Sequence, residues 1–364
     1  MINSSKSVSL TSKTVQTGFS MNKNITLQDI AKALNISAST VSRALTDSYQ
    51  IGAKTKKLVL DYAKQHHYVP NRMARGLKEG KSRSIGVLVC SIDNNFMAQM
   101  LDGIDQHCSE RGYQIIIMQS KELYEQEKAN VDLLYASGID GLLISPSYQT
   151  VDFSHLTHLQ ELGVPVVLFD RLSKHIDTHK VAVDNFKGAY DATMHLINNG
   201  YKKIAHINWD TELSVATKRF EGYKQALEDS GIKLNNDWIK FIDTTNAETL
   251  TLQLDTALQE LMDFRPSPKA IFTATDLIST KCLALLHKRG YSVPKDIALI
   301  GFSNTDLADV LNPSLSTVHQ PSFEIGSLAA QQLLSLINGK DTNSFQTILL
   351  PTELQIRASS QPKN

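Results

Sequence analysis

Two groups of residues in this sequence carry recognition chemistry, of different kinds. The first is Ala38, Ser39, Ser42 and Arg43, within the run Ser37-Ala-Ser-Thr-Val-Ser-Arg43. Small side chains, hydroxyls and one guanidinium suit a helix lying in a DNA major groove. There arginine reads guanine, and hydroxyls reach base edges or phosphates. The second is Arg219, Asp276 and Phe96. A sugar is held by guanidinium and carboxylate partners for its hydroxyls and by an aromatic face against its ring, and these three supply that set. Sets that do covalent chemistry are missing: there is no Walker loop, glycine-rich dinucleotide fingerprint, metal-spaced histidine pair or nucleophile elbow. Cys90, Cys108 and Cys282 stand far apart and read as buried or idle thiols in a reducing cytoplasm. His66-His67 and His155/His158 read as surface or packing residues. No metal, no cofactor and no enzymatic activity are expected.

Charge separates the two groups. The whole chain balances 37 Lys+Arg against 37 Asp+Glu. From Met21 to Ser84, however, 12 basic residues face four acids, and beyond Ser84 23 basic residues face 33 acids. A basic head on an acidic body points to a polyanionic partner for the head. The length of 364 residues fits two or three domains. No apolar run reaches the roughly 18 residues of a membrane span, so no membrane partner is expected. Residues 1–22 are Ser/Thr-rich without the apolar stretch of a signal peptide and read as a disordered leader, with Met21 a second possible start.

The elements that must position the first group follow from local pattern. Thr26 is an N-cap, and Leu27, Ile30, Ala31 and Leu34 follow on one helix face. Leu34-Asn35-Ile36 makes a short turn. Ser37 then caps a second helix, whose Val41, Ala44 and Leu45 point inward and leave Ala38, Ser39, Ser42 and Arg43 outward. Two short amphipathic helices on a tight turn form a helix-turn-helix. A third helix, from about Ala53 to His66, carries Lys54, Lys56 and Lys57 in its first turn. Cations there oppose the helix dipole, and phosphate contact explains them.

The run Ile25 to Leu45, together with Ala53-Lys54-Thr55 and Tyr68-Val-Pro-Asn-Arg72, resembles the head of the lactose-repressor (LacI/GalR) family. That resemblance implies base contacts by Ala38, Ser39 and Arg43 and backbone positioning by Thr26, Ser37, Ser42 and Asn71. Leu27, Thr40, Lys54, Thr55, Tyr68, Arg72 and Ala74 complete the DNA-facing set. His66 departs from the family, which usually has an apolar residue there, and is expected to be partly buried. Residues 71–77 offer about two turns of helix, too short to stand alone and weakened by Gly76, a departure from the larger family residue. The resemblance implies a hinge that orders on DNA, with Leu77 wedged into the minor groove; a plain basic linker is the other reading. Apolar wedges kink DNA, and Arg72 and Arg75 suit that groove's potential.

From Ser84 onward, apolar strand candidates alternate with helical patterns: Ile85–Val89, Gln114–Met118, Gly141–Ile144, Pro165–Phe169, Lys203–Ile207, Ala270–Thr273 and Ile297–Ile300. Such alternation means parallel sheets covered on both faces, and the span calls for two doubly wound lobes. The body resembles the sensing domain of the same family and periplasmic sugar-binding proteins. Ligands in such folds sit beyond the C-terminal strand ends. The resemblance makes Arg219 and Asp276 effector contacts, with Phe96, Met97 and Ser145 beside them. Asp170 is a further candidate, although Asp170 and Asp184 serve equally well as loop or helix caps.

The expected organisation is a leader (1–22), an all-α helix-turn-helix head (23–69), a hinge (70–83) and a two-lobed α/β effector and dimerisation body (84–360), with Phe323–Asn338 crossing back to the first lobe. The expected function is a cytoplasmic transcription regulator, a homodimer on a pseudo-palindromic double-stranded operator. A sugar-like effector would act by shifting lobe orientation and hinge folding. Two alternatives compete with it: a periplasmic-type sugar-binding protein without a DNA role, and an enzyme with a DNA-binding head.

Overall fold

The computed structural model describes residues 25–68, 81–209, 213–243, 247–339 and 344–361. The leader and the hinge positions Asn71, Arg72, Ala74, Gly76 and Leu77 lie outside them. The chain forms two compact units, the first described over residues 25–68 and the second from 81 onward.

The first unit is three helices, α1 (Leu27–Ala33), α2 (Ala38–Leu45) and α3 (Ala53–Gln65). Thr26 starts α1 in a capping box: its hydroxyl accepts the Asp29 N–H at 3.2 Å, and its own N–H donates to Asp29 Oδ2 at 2.9 Å. Two otherwise orphaned helix-end donors are thereby satisfied. Ser37 caps α2, accepting from the Thr40 N–H at 3.0 Å. Between the helices Asn35 takes φ 51°, a left-handed position that asparagine tolerates better than most residues. Ile30, Ala31, Val41, Ala44, Val59 and Ala63 fill the small core.

The second unit is two α/β lobes. The first lobe holds β1 (Ser84–Val89), α4 (Asn95–Ser109), β2 (Gln114–Gln119), α5 (Tyr124–Ala136), β3 (Gly141–Ile144), α6 (Ser154–Glu161), β4 (Val166–Phe169) and β5 (Lys180–Val183). The second holds α7 (Asn185–Asn198), β6 (Ile204–Trp209), α8 (Ser214–Asp229), β7 (Ile239–Ile242), α9 (Ala247–Asp263), β8 (Ala270–Thr273), α10 (Asp276–Lys288), β9 (Ala298–Phe302) and β10 (Ser316–His319). Then α11 (Ser322–Ile337) and β11 (Thr347–Leu350) return to the first lobe, and β12 (Glu353–Gln355) closes the second.

The sheets run β11-β5-β4-β3-β1-β2 and β12-β10-β9-β8-β6-β7. All pairings are parallel except β12 against β10. Interior strands such as β3, β8 and β9 are buried at every position, as a sheet covered on both faces requires. The chain passes between lobes three times, before α7, after β10 and between β11 and β12. As expected, the last long helix packs in the first lobe, against α4 and the β3–β5 side of the sheet. Residues 81–83, at the end of the expected hinge, are tied to this unit: the Ser82 and Arg83 N–H groups donate to the Asp140 carboxylate at 2.7 and 2.8 Å.

Helices α7 and α8 touch backbone to backbone. A Cβ on Gly222 would lie 2.2 Å from the Phe186 carbonyl oxygen, so only glycine lets α8 approach this closely.

Candidate DNA-reading surface and effector cleft

On the first unit, the outward face of α2 carries exposed Ser39 and Arg43 and half-buried Thr40 and Ser42. Among the described residues the Arg43 guanidinium has no hydrogen-bond or ion-pair partner, so its donors stay open. The Ser37 hydroxyl lies 2.8 Å from both the Ser39 and Thr40 hydroxyls, which makes a small polar cluster at the helix start. Ala38 is half-buried against the core rather than turned wholly outward. Leu27 and Tyr68 also pack on that core. Thr26 is exposed but already engaged with Asp29.

On α3, Lys54 and Lys57 are exposed and Thr55 is half-buried. Lys56, grouped with them in the sequence, is held inside the unit: its ammonium donates to Asp47 Oδ1 at 2.7 Å and to the Asp47 carbonyl at 3.2 Å. The Lys56 hydrogen bond and charge hold the Asp47 carboxyl below its usual range. His66 corrects the expectation of partial burial. It is exposed, because it is the C-cap of α3 and its ring lies outside on Tyr62, centroids 4.2 Å apart.

In the second unit a cleft of about 760 Å³ opens at the C-terminal strand ends, where doubly wound sheets bind ligands. Asn94 caps α4 by accepting from the Met97 N–H at 2.8 Å and thereby aims the first turn, with Phe96 and Met97, at the cleft. Met97 is also a core residue. Asp170 follows β4 with φ 61°, an uncommon conformation for a non-glycine residue, of the kind held at functional sites. Its carboxylate accepts one long hydrogen bond, from Ser145 Oγ at 3.4 Å. Ser145 therefore stands behind Asp170 and is not part of the lining. Asp184, the other acid of uncertain role, caps α7 through the Lys187 N–H at 2.9 Å.

The opposite wall carries Arg219 and Asp276. Arg219, 4% exposed, projects from α8. Its Nε donates to Asn185 Oδ1 at 2.8 Å, Nη1 to the Ala274 carbonyl and Nη2 to Gln320 Oε1 at 3.0 Å. The guanidinium carbon lies 3.7 Å from the Phe302 ring centroid, a stacked cation–π contact. Burial pushes the guanidinium down to about 9, against the pull of Asp170. Asp276 opens α10 after the cap Thr275 and accepts from Ser303 Oγ. Burial raises both the Asp276 and Asp170 carboxyls: Ser303 offsets it only partly at Asp276, and Arg171 and Arg219 do so only partly at Asp170.

Trp209, Gln320 and Glu122 are lining residues that the sequence did not single out, and Arg171 stood in it only as the neighbour of Asp170. Trp209 ends β6 and Gln320 follows β10; both sit at strand ends, the signal that found Asp276. Glu122 and Arg171 form a bidentate ion pair at 2.7 and 2.8 Å, and the Tyr148 N–H adds a third donor to Glu122 at 2.9 Å. Burial raises Glu122, but Arg171 outweighs it and holds the carboxyl low. Of the six expected effector residues, five border one cleft and Ser145 supports it from behind.

A family model for bacterial regulatory proteins, lacI family, matches residues 26–71, and one for a periplasmic binding protein-like domain matches residues 193–360. The chain is 32% identical to the HTH-type transcriptional repressor CytR of Escherichia coli (strain K12), over 92% of this chain and 96% of that protein. Among solved structures, the complex of the transcriptional regulator CelR with cellobiose is 27% identical, with a TM-score of 0.69 over 92% of this chain and 99% of that one. The lac repressor dimer bound to operator and the anti-inducer ONPF shares the fold, at 23% identity and a TM-score of 0.81 over 93% of this chain and 100% of that one. With its helix-turn-helix and its two-lobed body both matched, this chain belongs to the lacI family of bacterial regulatory proteins, DNA-binding transcription regulators with an effector-binding domain.

Proposed function

We propose that the chain is a cytoplasmic, homodimeric repressor whose operator affinity is set by an uncharged, hydroxyl-rich effector, a sugar or sugar derivative. Helix α2 of each protomer reads one half of a pseudo-palindromic double-stranded site through Ser39, Ser42 and Arg43, with Lys54 and Lys57 on phosphates. The observation that carries the effector class is the state of Asp170 and Asp276. They border one cleft from opposite lobes, and each accepts a single side-chain hydrogen bond from the protein among the described residues. A carboxylate short of donors is costly in a partly dry site, and a ligand hydroxyl supplies one. Arg219 keeps N–H groups for the ligand, since a guanidinium has five and three are engaged. A phosphorylated ligand is disfavoured: its charge would stand beside both carboxylates, while Arg171 is already taken by Glu122.

The CelR–cellobiose complex supports a carbohydrate, and the lac repressor dimer on its operator supports the assembly. Among the described residues no helix is long and apolar enough to cross a membrane. This reading gives the cleft binding and no turnover, so a ligand incubated with the protein is recovered unchanged. Selection from fragmented genomic DNA tests the head, and thermal shift with neutral mono- and disaccharides against their phosphates tests the cleft. A discrete palindromic sequence and stabilisation by a neutral sugar are expected. Recovery of unrelated fragments would refute the head assignment, and stabilisation by phosphosugars alone would refute the effector class.

A further inference from the structure

Beside the cleft, but not bordering it, the corner after β9 holds Ser303 and Asn304, 1% and 3% exposed. Ser303 Oγ donates to Asp276, one of the two charged groups of the second-lobe wall. Asn304 is joined to the other at one remove. Its Oδ1 accepts the Gln320 N–H at 3.0 Å, and Gln320 Oε1 accepts from Arg219 Nη2 at 3.0 Å. The Asn304 amide nitrogen donates to the Gln320 carbonyl at 2.8 Å and to Ser322 Oγ at 2.7 Å. It also reaches across to the first lobe, 3.1 Å from Gln99 Oε1, a third acceptor that shares one of the two amide N–H groups. Gln99 lies on α4, three residues after Phe96 and therefore on the same helix face as a residue that lines the cleft. The two neighbouring residues of this corner thus touch Asp276 directly, reach Arg219 through Gln320, and touch a side chain of the other lobe.

The chemistry makes this arrangement responsive. A ligand hydroxyl that donates to Asp276 competes with Ser303 for the same carboxylate. A ligand oxygen that accepts from Arg219 Nη2 competes with Gln320. Each displaced partner is buried, and an unpaired buried polar group is costly enough that its neighbours rearrange to satisfy it. Asn304 is the neighbour shared by Gln320 and the opposite lobe. We infer that Ser303 and Asn304 form the coupling node of this regulator: they read the occupancy of Asp276 and Arg219 and pass it to the lobe orientation through the Asn304–Gln99 bond. Gln99, Ser303 and Asn304 are positioning residues on this assignment and do not touch the effector. The inference rests on the proposed effector cleft, and its test is built to fail separately from that reading.

Gln99→Ala removes only the cross-lobe bond and, at a half-buried helix position, leaves the fold intact; Asn304→Ala removes that bond together with those to Gln320 and Ser322. Interlobe distance is read by spin labels at S137C and K233C, one labelled protomer per dimer, the three native cysteines being buried. Operator affinity is read on the DNA fragment recovered by selection. Both variants should shift or broaden the distance distribution and change operator affinity by about three- to tenfold, the worth of one or two buried hydrogen bonds. The double variant should do no more than the larger single one, because the two residues share one bond. An unchanged distance in Gln99→Ala, a changed distance without any change in operator affinity, or simple additivity overturns the node. If the unsubstituted protein binds no DNA, the regulator reading fails instead, and the distances still decide whether the node holds the lobes.

Discussion

Arg43 in the head and Arg219 in the body, the two arginines proposed to meet ligands, stand in opposite states. Arg43 is exposed, with no side-chain partner among the described residues. Arg219 is 4% exposed and fixed by Asn185, Ala274, Gln320 and the Phe302 ring. The ligands explain the difference. DNA brings dense charge to the surface and attracts a flexible cation over a distance, so a free side chain suffices until docking. A neutral small molecule offers no such field. Its affinity depends on donors and acceptors already held in place, because few contacts must offset the entropy of immobilising it. On the proposed function, the head is completed by its partner, whereas the cleft is largely built before its own arrives.

The largest expected effect comes from removing the arginine of the built site. Arg219→Ala leaves Asn185, Gln320 and the Ala274 carbonyl without a donor. It should cost about 2–4 kcal/mol of body stability and abolish the thermal shift given by the effector. Arg219→Lys should not rescue the shift, since an ammonium cannot reproduce the planar set of contacts. An unchanged effector shift in either variant would break the contrast with the head.

Gly222→Ala tests whether the cleft is pre-formed by helix packing. The added methyl would meet the Phe186 carbonyl and push α8, with Arg219, away from α7, with Asn185. A loss of about 1–3 kcal/mol is expected by thermal unfolding, together with weaker effector binding, although residue 222 does not line the cleft. Arg43→Ala should behave conversely. It should leave unfolding within about 0.5 kcal/mol while costing about 1–3 kcal/mol on the selected operator and much less on random DNA. Equal losses on both DNAs would make Arg43 a phosphate contact only.

The same contrast decides what could be read from the sequence. Thr26 and Ser37 announced the head helices because a cap and the periodicity behind it are local, and both caps stand where expected. Arg219 and Asp276 were legible through family resemblance and strand-end position. Their partners were not: Arg219 bonds Gln320 from 101 residues away, and Asp276 accepts from Ser303 across 27. No spacing rule reaches so far. Lys56 shows the same limit at shorter range. Its local pattern pointed to phosphate, but Asp47, nine residues earlier, lies within reach once the chain turns between α2 and α3.

The smallest expected effect is in pH, and it separates the two surfaces by sign. Burial raises the Asp170 and Asp276 carboxyls; Arg171, Arg219 and Ser145 lower the first without cancelling that rise while Glu122 adds to it, and Ser303 lowers the second while Asp306 adds to its rise. In the window between the ordinary carboxylate value and the raised one, the folded body holds more protons than the unfolded chain. The contribution of these two groups to stability therefore grows as pH falls through that window. Glu122, held low by Arg171, contributes oppositely and loses its stabilisation as pH falls. A neutral sugar that donates hydroxyls to Asp170 and Asp276 favours their ionised forms, so its binding must release protons there. Affinity should then weaken as pH falls through the window, by on the order of tenfold or less, one pKa unit being worth 1.36 kcal/mol. Titration calorimetry in two buffers of different ionisation heat counts the protons directly, and Asp276→Asn should reduce the count. Binding with no proton release would mean that the ligand leaves both carboxylates unpaired and is gripped by Arg219 and the aromatic wall alone.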